Sequence, residues 1–165
     1  MKHKQLFTSA LLAAVLFSCT SVKHVQKTVL SWEENFDQPN NFDTTKWSKI
    51  PRGMSDWDRH MSDFDSCYAM RDGKLILRGI KNTSVLNDTS KYLTGGVYTK
   101  DKMGFGYGRL EIRAKLNGAT GAWPAFWLLA QGEKYPGGGE IDIMERLSHD
   151  SIAYQTVHSY YTITL

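Results

Sequence analysis

The stretch Gly137-Gly138-Gly139-Glu140-Ile141-Asp142-Ile143-Met144-Glu145 sets three carboxylates on an otherwise apolar run behind a glycine turn. A short Ile-containing run bounded by Gly reads as a β-strand. Side chains alternate along a strand, so Glu140 and Asp142 share one face while Glu145, five residues from Glu140, falls on the other. A β-bulge near Met144 would bring Glu145 back, because one extra residue re-aims every side chain after it. Three like charges in one cleft cannot all ionise freely. Repulsion and partial burial push their pKa values apart, which leaves one carboxyl protonated as a general acid and another ionised as a nucleophile. Cleavage of a glycosidic bond needs that division, with the working carboxyls about 5–5.5 Å apart for retention or about 6.5–9.5 Å for inversion. At about 3.3 Å per residue the backbone positions across the bulge lie roughly 13 Å apart, so the strand must curve for the side chains to converge. The same acids also suit a solvated face or a calcium site, since a hard cation prefers carboxylate oxygens. Neither of those readings accounts for the flanking aromatic residues.

Working outward, short candidate strands recur with turn residues between them. They are Lys74 to Ile80 after Asp72-Gly73, Gly95 to Thr99, Gly108 to Leu116, Ala125 to Leu129, Glu140 to Glu145 and Ala153 to Tyr161. No long helical period is present. Short strands, glycine punctuation and 12% aromatic residues predict an all-β sandwich or barrel. Asn82 to Ser90 is the clearest polar loop, and no internal repeat is seen.

These residues resemble glycoside hydrolase family 16, the laminarinase, agarase and lichenase family. Its E-x-D-x-x-E signature, the bulged form found in laminarinases and agarases, is matched by Glu140, Asp142 and Glu145. Tyr107 to Lys115 and Gly121 to Leu129 are similar to the strands the family places just before its catalytic strand, and Trp32 to Trp47 is similar to its opening strand and turn. The resemblance implies an all-β jelly roll of two curved sheets with a concave substrate cleft. It further implies that Glu140 is the nucleophile, that Glu145 is the general acid/base, and that Asp142 hydrogen-bonds the nucleophile and tunes it. The implied chemistry is endo-hydrolysis of a β-linked glycan with retention, with no cofactor required; some relatives bind a structural calcium ion on the convex side.

Trp123 and Trp127 are candidates for sugar binding, because the flat C–H faces of sugars stack on aromatic rings that also exclude water. Either can instead belong to the core of an all-β fold. His158 matches a histidine that family members often carry on the next cleft strand, where it would bond sugar or carboxylate. Arg109, Glu111, Arg113 and Lys115 share one strand face and read as solvated and salt-bridged. Trp57 and Arg59 fall in the cluster Trp57-Asp58-Arg59-His60-Met61, a loop-like segment of the kind that sets substrate choice at a cleft mouth. There the chain departs from laminarinases, many of which carry a G-N-N-E-type segment where Ser55 to His60 stands. The substrates left open are a β-1,3-glucan and a glycan with β-galactosyl linkages, either a galactan or a host O-glycan.

The first residues are a processing segment rather than fold. Lys2 and Lys4 form a basic start, Leu6 to Phe17 are mostly apolar, and Leu16-Phe17-Ser18-Cys19 resembles a bacterial lipobox. The resemblance implies a signal peptide over 1–18, cleavage before Cys19, lipid attachment there, a tether over 19–28 and a catalytic domain over 29–165. The protein is thus expected in the cell envelope, on the periplasmic face or the cell surface, meeting the membrane only through its anchor. The alternative is an ordinary signal peptide cut slightly later. The apolar run is shorter than the ~20 residues of a spanning helix.

Of the 20 basic residues two leave with 1–18 and no acid does, so 18 remain against 17 acids, a net +1. No basic stripe or aromatic platform points to nucleic acid. With Cys19 lipidated, Cys67 stands alone and reads as a small buried hydrophobe in a chain without a disulfide framework or metal-ligand spacing. The 147 residues from Cys19 to Leu165 are fewer than the family's catalytic domain usually has, and the sequence stops on the apolar run Tyr160 to Leu165, as if in a strand. A C-terminally incomplete domain, monomeric, is the expectation. Two functional classes follow: an endo-β-glycanase, or a non-catalytic sugar-binding jelly roll or inactive fragment.

Overall fold

Asp72 and Gly73 both adopt positive φ, 52° and 63°, with Arg71 N–H donating to Lys74 O across them. Two consecutive left-handed residues make the turn whose twist matches that of paired strands. It joins β2 (Tyr68–Met70) to β3 (Leu75–Leu77) as an antiparallel hairpin in this computed structural model, which describes residues 29–39 and 41–164. Residues 29–34 belong to a first unit and carry no regular element; residues 35–164 lie in a second unit. The expected signal peptide, Cys19 and tether lie outside the described residues.

The regular structure of the second unit is almost wholly short antiparallel strands, with longer irregular stretches between them. β1 (Ser48–Lys49) pairs with β6 (Val97–Tyr98), and β4 (Gly79–Lys81) with β5 (Tyr92–Thr94). The largest sheet runs β7 (Ala125–Leu129), β8 (Glu140–Glu145), β9 (Tyr154–His158), with β8 in the centre. Among the described residues Phe42, Cys67 and Leu93 are the buried apolar ones, the last two fully enclosed. Gly95 is required beside them, because a Cβ there would lie 2.5 Å from Cys67 O.

Three expected strands take a different form. Lys74 to Ile80 is divided at Arg78, where the chain leaves its pairing with β2 and begins pairing with β5. Gly108 to Leu116 is not a strand and is mostly exposed. Its alternating residues suit a pleated surface, but with no neighbouring strand its backbone groups have no ladder to join. Arg109 Nε and Glu111 Oε1 still pair at 2.6 Å, two residues apart and well exposed. Ala153 to Tyr161 becomes β9 followed by a short helix, α1 (Tyr160–Thr164). Ser159 ends the strand, its N–H donating to Thr162 Oγ1 at 2.7 Å while Thr162 N–H donates to Ser159 Oγ at 3.3 Å. Reciprocal bonds of this kind cap a helix N-terminus and outweigh the β-branched composition beyond them.

Candidate active site

The acidic strand carries the bulge that its charges require. On β7, Trp127 lies opposite Asp142 and Phe126 opposite Met144, so Ile143 has no partner there. On β9, Thr156 lies opposite Asp142 and Tyr154 opposite Glu145, so Ile143 and Met144 together face the single residue Gln155. Glu145 also pairs with Ala125, two residues from Trp127 and therefore on the same face of β7. All three acids thus project from one side of the sheet. Ile141 and Val157, 49% and 64% exposed, occupy the other.

Asp142 is 4% exposed, the only buried charged side chain among the described residues. A buried carboxylate needs partners, and His158 supplies one with Nε2 3.2 Å from Asp142 Oδ2. Glu140 lies directly opposite His158 on β9. Burial pushes the Glu140 carboxyl above its ordinary value, the charge of Asp142 adds to this, and a protonated His158 opposes it. Side-chain hydrogen bonding with Asp142 and the charge of Glu145 raise it further, more weakly. Glu145 accepts a 2.7 Å hydrogen bond on Oε1 from Trp123 Nε1. The local environment therefore differs from one acid to the next, which is what separate acid and base roles need.

Trp127 sits opposite Asp142 and is half-buried. Trp57 packs edge-on against it, with ring centroids 5.2 Å apart at 76°. The loop that brings Trp57 there is tied internally: Ser55 N–H donates to Asp58 Oδ1 at 2.8 Å and Gly53 N–H to Asp58 O at 3.2 Å. A Cβ at Gly53 would lie 1.9 Å from Asp58 Oδ2, so a larger residue there would displace the Asp58 carboxylate that accepts from Ser55. Arg59 is in the same loop, its guanidinium engaged by Asp56 at 3.0 Å in solvent rather than by the acids.

One residue near the acids was not legible as such in the sequence. The Tyr135 phenol is pushed up, first by burial and then by the negative charges of Glu140 and Asp142. The turn that follows it, with Gly138 N–H donating to Lys134 O and Gly139 N–H to Pro136 O, returns the chain to β8. Its only sequence signal is the Tyr135-Pro136-Gly137-Gly138-Gly139 turn cluster just upstream of the acids. Among the described residues no group of three His, Cys, Asp or Glu side chains is arranged to hold a metal ion.

The comparisons with known proteins agree with this geometry. Residues 105–165 match the family model described as XgeA-like, catalytic GH16 domain. The chain is 36% identical over 134 residues to a keratan-sulfate endo-1,4-beta-galactosidase of Sphingobacterium multivorum, an alignment covering 79% of this chain and 32% of that protein. It is 30% identical over 134 residues to the glucan endo-1,3-beta-glucosidase A1 of Niallia circulans, covering 70% of this chain and 20% of the relative. A crystal structure of a non-specific endo-beta-1,3(4)-glucanase from family GH16 superposes with a TM-score of 0.71 at 26% identity, over 81% of this chain and 54% of that one. The chain therefore spans about a third or less of the two curated relatives and about half of the solved structure. The strand-rich fold described above matches the jelly roll of that structure over most of this chain. In sequence and in fold, over most of its length, the chain is thus similar to the catalytic domains of glycoside hydrolase family 16.

Proposed function

We propose that the protein is a retaining endo-β-glycanase, with Glu140 as nucleophile, Glu145 as general acid/base and Asp142 as the partner that holds Glu140. The observation that carries this reading is the bulge at Ile143 and Met144, which puts all three acids on one face. In the first step Glu145 gives its proton to the leaving glycosidic oxygen as an ionised Glu140 oxygen attacks the anomeric carbon. A glycosyl ester forms and the glycosidic bond breaks. In the second step Glu145 takes a proton from water, the resulting hydroxide displaces Glu140, and the anomeric configuration is retained. No cofactor takes part.

The substrate we favour is a glycan with β-galactosyl linkages, with β-1,3-glucan second. Greater identity to a keratan-sulfate endo-1,4-beta-galactosidase than to a glucan endo-1,3-beta-glucosidase supports that order. So does the Ser55 to His60 loop, which replaces a segment common in laminarinases and brings Trp57 onto Trp127. Trp57, Trp127 and Arg59 are proposed to contact sugar. The protein acts as a monomer, tethered through lipidated Cys19 in the cell envelope; a calcium ion, if bound, is structural.

The test is a product screen of the purified full chain beside Glu140→Gln on keratan-type and agarose-type galactans, β-1,3-glucan and mixed-linkage glucan. Short oligosaccharides from a galactan, released only by the unmodified protein, are expected. Release from glucans alone would overturn the substrate order, and release by Glu140→Gln at an equal rate would overturn the assignment of the nucleophile.

A further inference from the structure

Trp123 does more in this structure than offer an aromatic face. Its indole N–H is 2.7 Å from Glu145 Oε1, and the backbone on both sides of the pair is tied together. Arg146 N–H donates to Pro124 O at 3.0 Å and Ser148 N–H to Ala122 O at 2.8 Å, so the chain around Trp123 continues the β7–β8 ladder past Ala125 and Glu145. Gly121 N–H adds a third tie, to Ser148 Oγ at 3.0 Å. The contact is therefore set by sheet register and does not wait for a sugar to order it. Trp123 remains 46% exposed, so the ring lines open space while its nitrogen is engaged.

An indole N–H can only donate. The Glu145 oxygen it meets must accept, in either state of the carboxyl, and that oxygen cannot also present a proton toward the indole. We propose that Trp123 is a positioning residue for the general acid/base: it reserves Oε1 of Glu145 as an acceptor, confines the transferable proton to Oε2, and fixes the plane of the carboxyl. The proposal rests on the role given to Glu145 above. The groups around that carboxyl leave Trp123 as its named donor. Glu140 and Asp142 on β8 carry the same charge, β7 presents Ala125, and Tyr154 on β9 donates its hydroxyl to Asp150 at 2.7 Å. His158 is engaged with Asp142. Arg146, next in sequence, donates to Leu116 O at 3.0 Å and Asp150 O at 2.9 Å.

A residue that positions a general acid matters only where the leaving group needs a proton. The test compares phenyl and 2,4-dinitrophenyl β-glycosides of a β-galactosyl disaccharide and of a β-1,3-glucosyl disaccharide, with the unmodified chain and Trp123→Phe. Phenolate leaves poorly without protonation, whereas dinitrophenolate leaves unaided. Trp123→Phe is expected to lower kcat/KM about 30-fold on the phenyl glycoside, a share of the ~10²–10⁴-fold that general acid catalysis supplies, and less than about threefold on the dinitrophenyl one. Equal losses on both would mean that the ring only binds sugar or supports the fold, and would overturn the proposal. Absence of turnover by the unmodified protein on all four compounds would instead sink the hydrolase reading, and the proposal with it. A second measurement needs no turnover: exchange of the Trp123 indole N–H with solvent should speed up at least about tenfold in Glu145→Ala, with the Trp57 and Trp127 indole signals unmoved. An unchanged rate would also overturn the proposal.

Discussion

Glu140 shows most directly how one side chain ties stability to chemistry. Its carboxyl is pushed above the ordinary glutamate value of 4.5 by burial and then by Asp142. A carboxyl raised in the folded state favours folding below its unfolded value, and that advantage is lost as pH rises through the folded one. At neutral pH the ionised nucleophile is thus a cost carried for reactivity. Glu140→Gln should raise the melting temperature at pH 7 by about 2–5 °C, the size of an ordinary stabilising substitution, and the gain should vanish below pH 4.5. Melting curves across that range check it; a gain independent of pH would count against the assignment. The same group sets the acid limb of kcat/KM, since attack requires Glu140 ionised. Activity should therefore begin to fall at a pH above that expected of an unperturbed glutamate.

Among the elements, β8 depends on one residue more than on its composition. Ile143 lacks a partner on β7, and the bulge there turns Glu145 to the face that holds Glu140 and Asp142. Deleting Ile143 should remove the bulge and still leave Glu145 beside Glu140 and Asp142, because Glu145 then stands four residues from Glu140 and plain alternation puts it on the same face. The expected result is hydrolysis kept within about tenfold, short of the ~10²–10⁴-fold that goes with a general acid, with the far-ultraviolet circular dichroism kept. A loss of about 10³-fold, as on removal of a general acid, would argue that strand alternation is not what aims Glu145. Two other segments mark the limits of local pattern. Gly108 to Leu116 alternates as a strand should, yet alternation gives a strand only where a second one accepts its hydrogen bonds. Tyr160 to Thr164 is rich in β-formers, yet the Ser159–Thr162 capping pair turns it into a helix.

At the scale of the molecule, apolar burial is concentrated in few places. Cys67 and Leu93 are fully enclosed, and burial pushes the Cys67 thiol up, as expected of an inert packing residue. Charge offers little to hold the protein at a surface, because the net value without residues 1–18 is only +1. Attachment to a membrane, as proposed, then falls to the lipid on Cys19. In a bacterium fed labelled palmitate the full chain should take up label and sediment with membranes, and Cys19→Ala should do neither. Label retained in Cys19→Ala would remove the anchor from the proposal.

The sequence by itself determined the strand-rich class, the acids and the need for a bulge, because these follow from periodicity, turn residues and charge placed on an apolar strand. It also brought Trp57, Trp123, Trp127 and His158 forward by type and resemblance. Only the tertiary structure decided what each one touches: Trp123 on Glu145, His158 on Asp142, Trp57 on Trp127, and Tyr135 near Glu140 and Asp142. Such contacts join residues far apart in the chain, through pairing register and loop closure that no local pattern encodes.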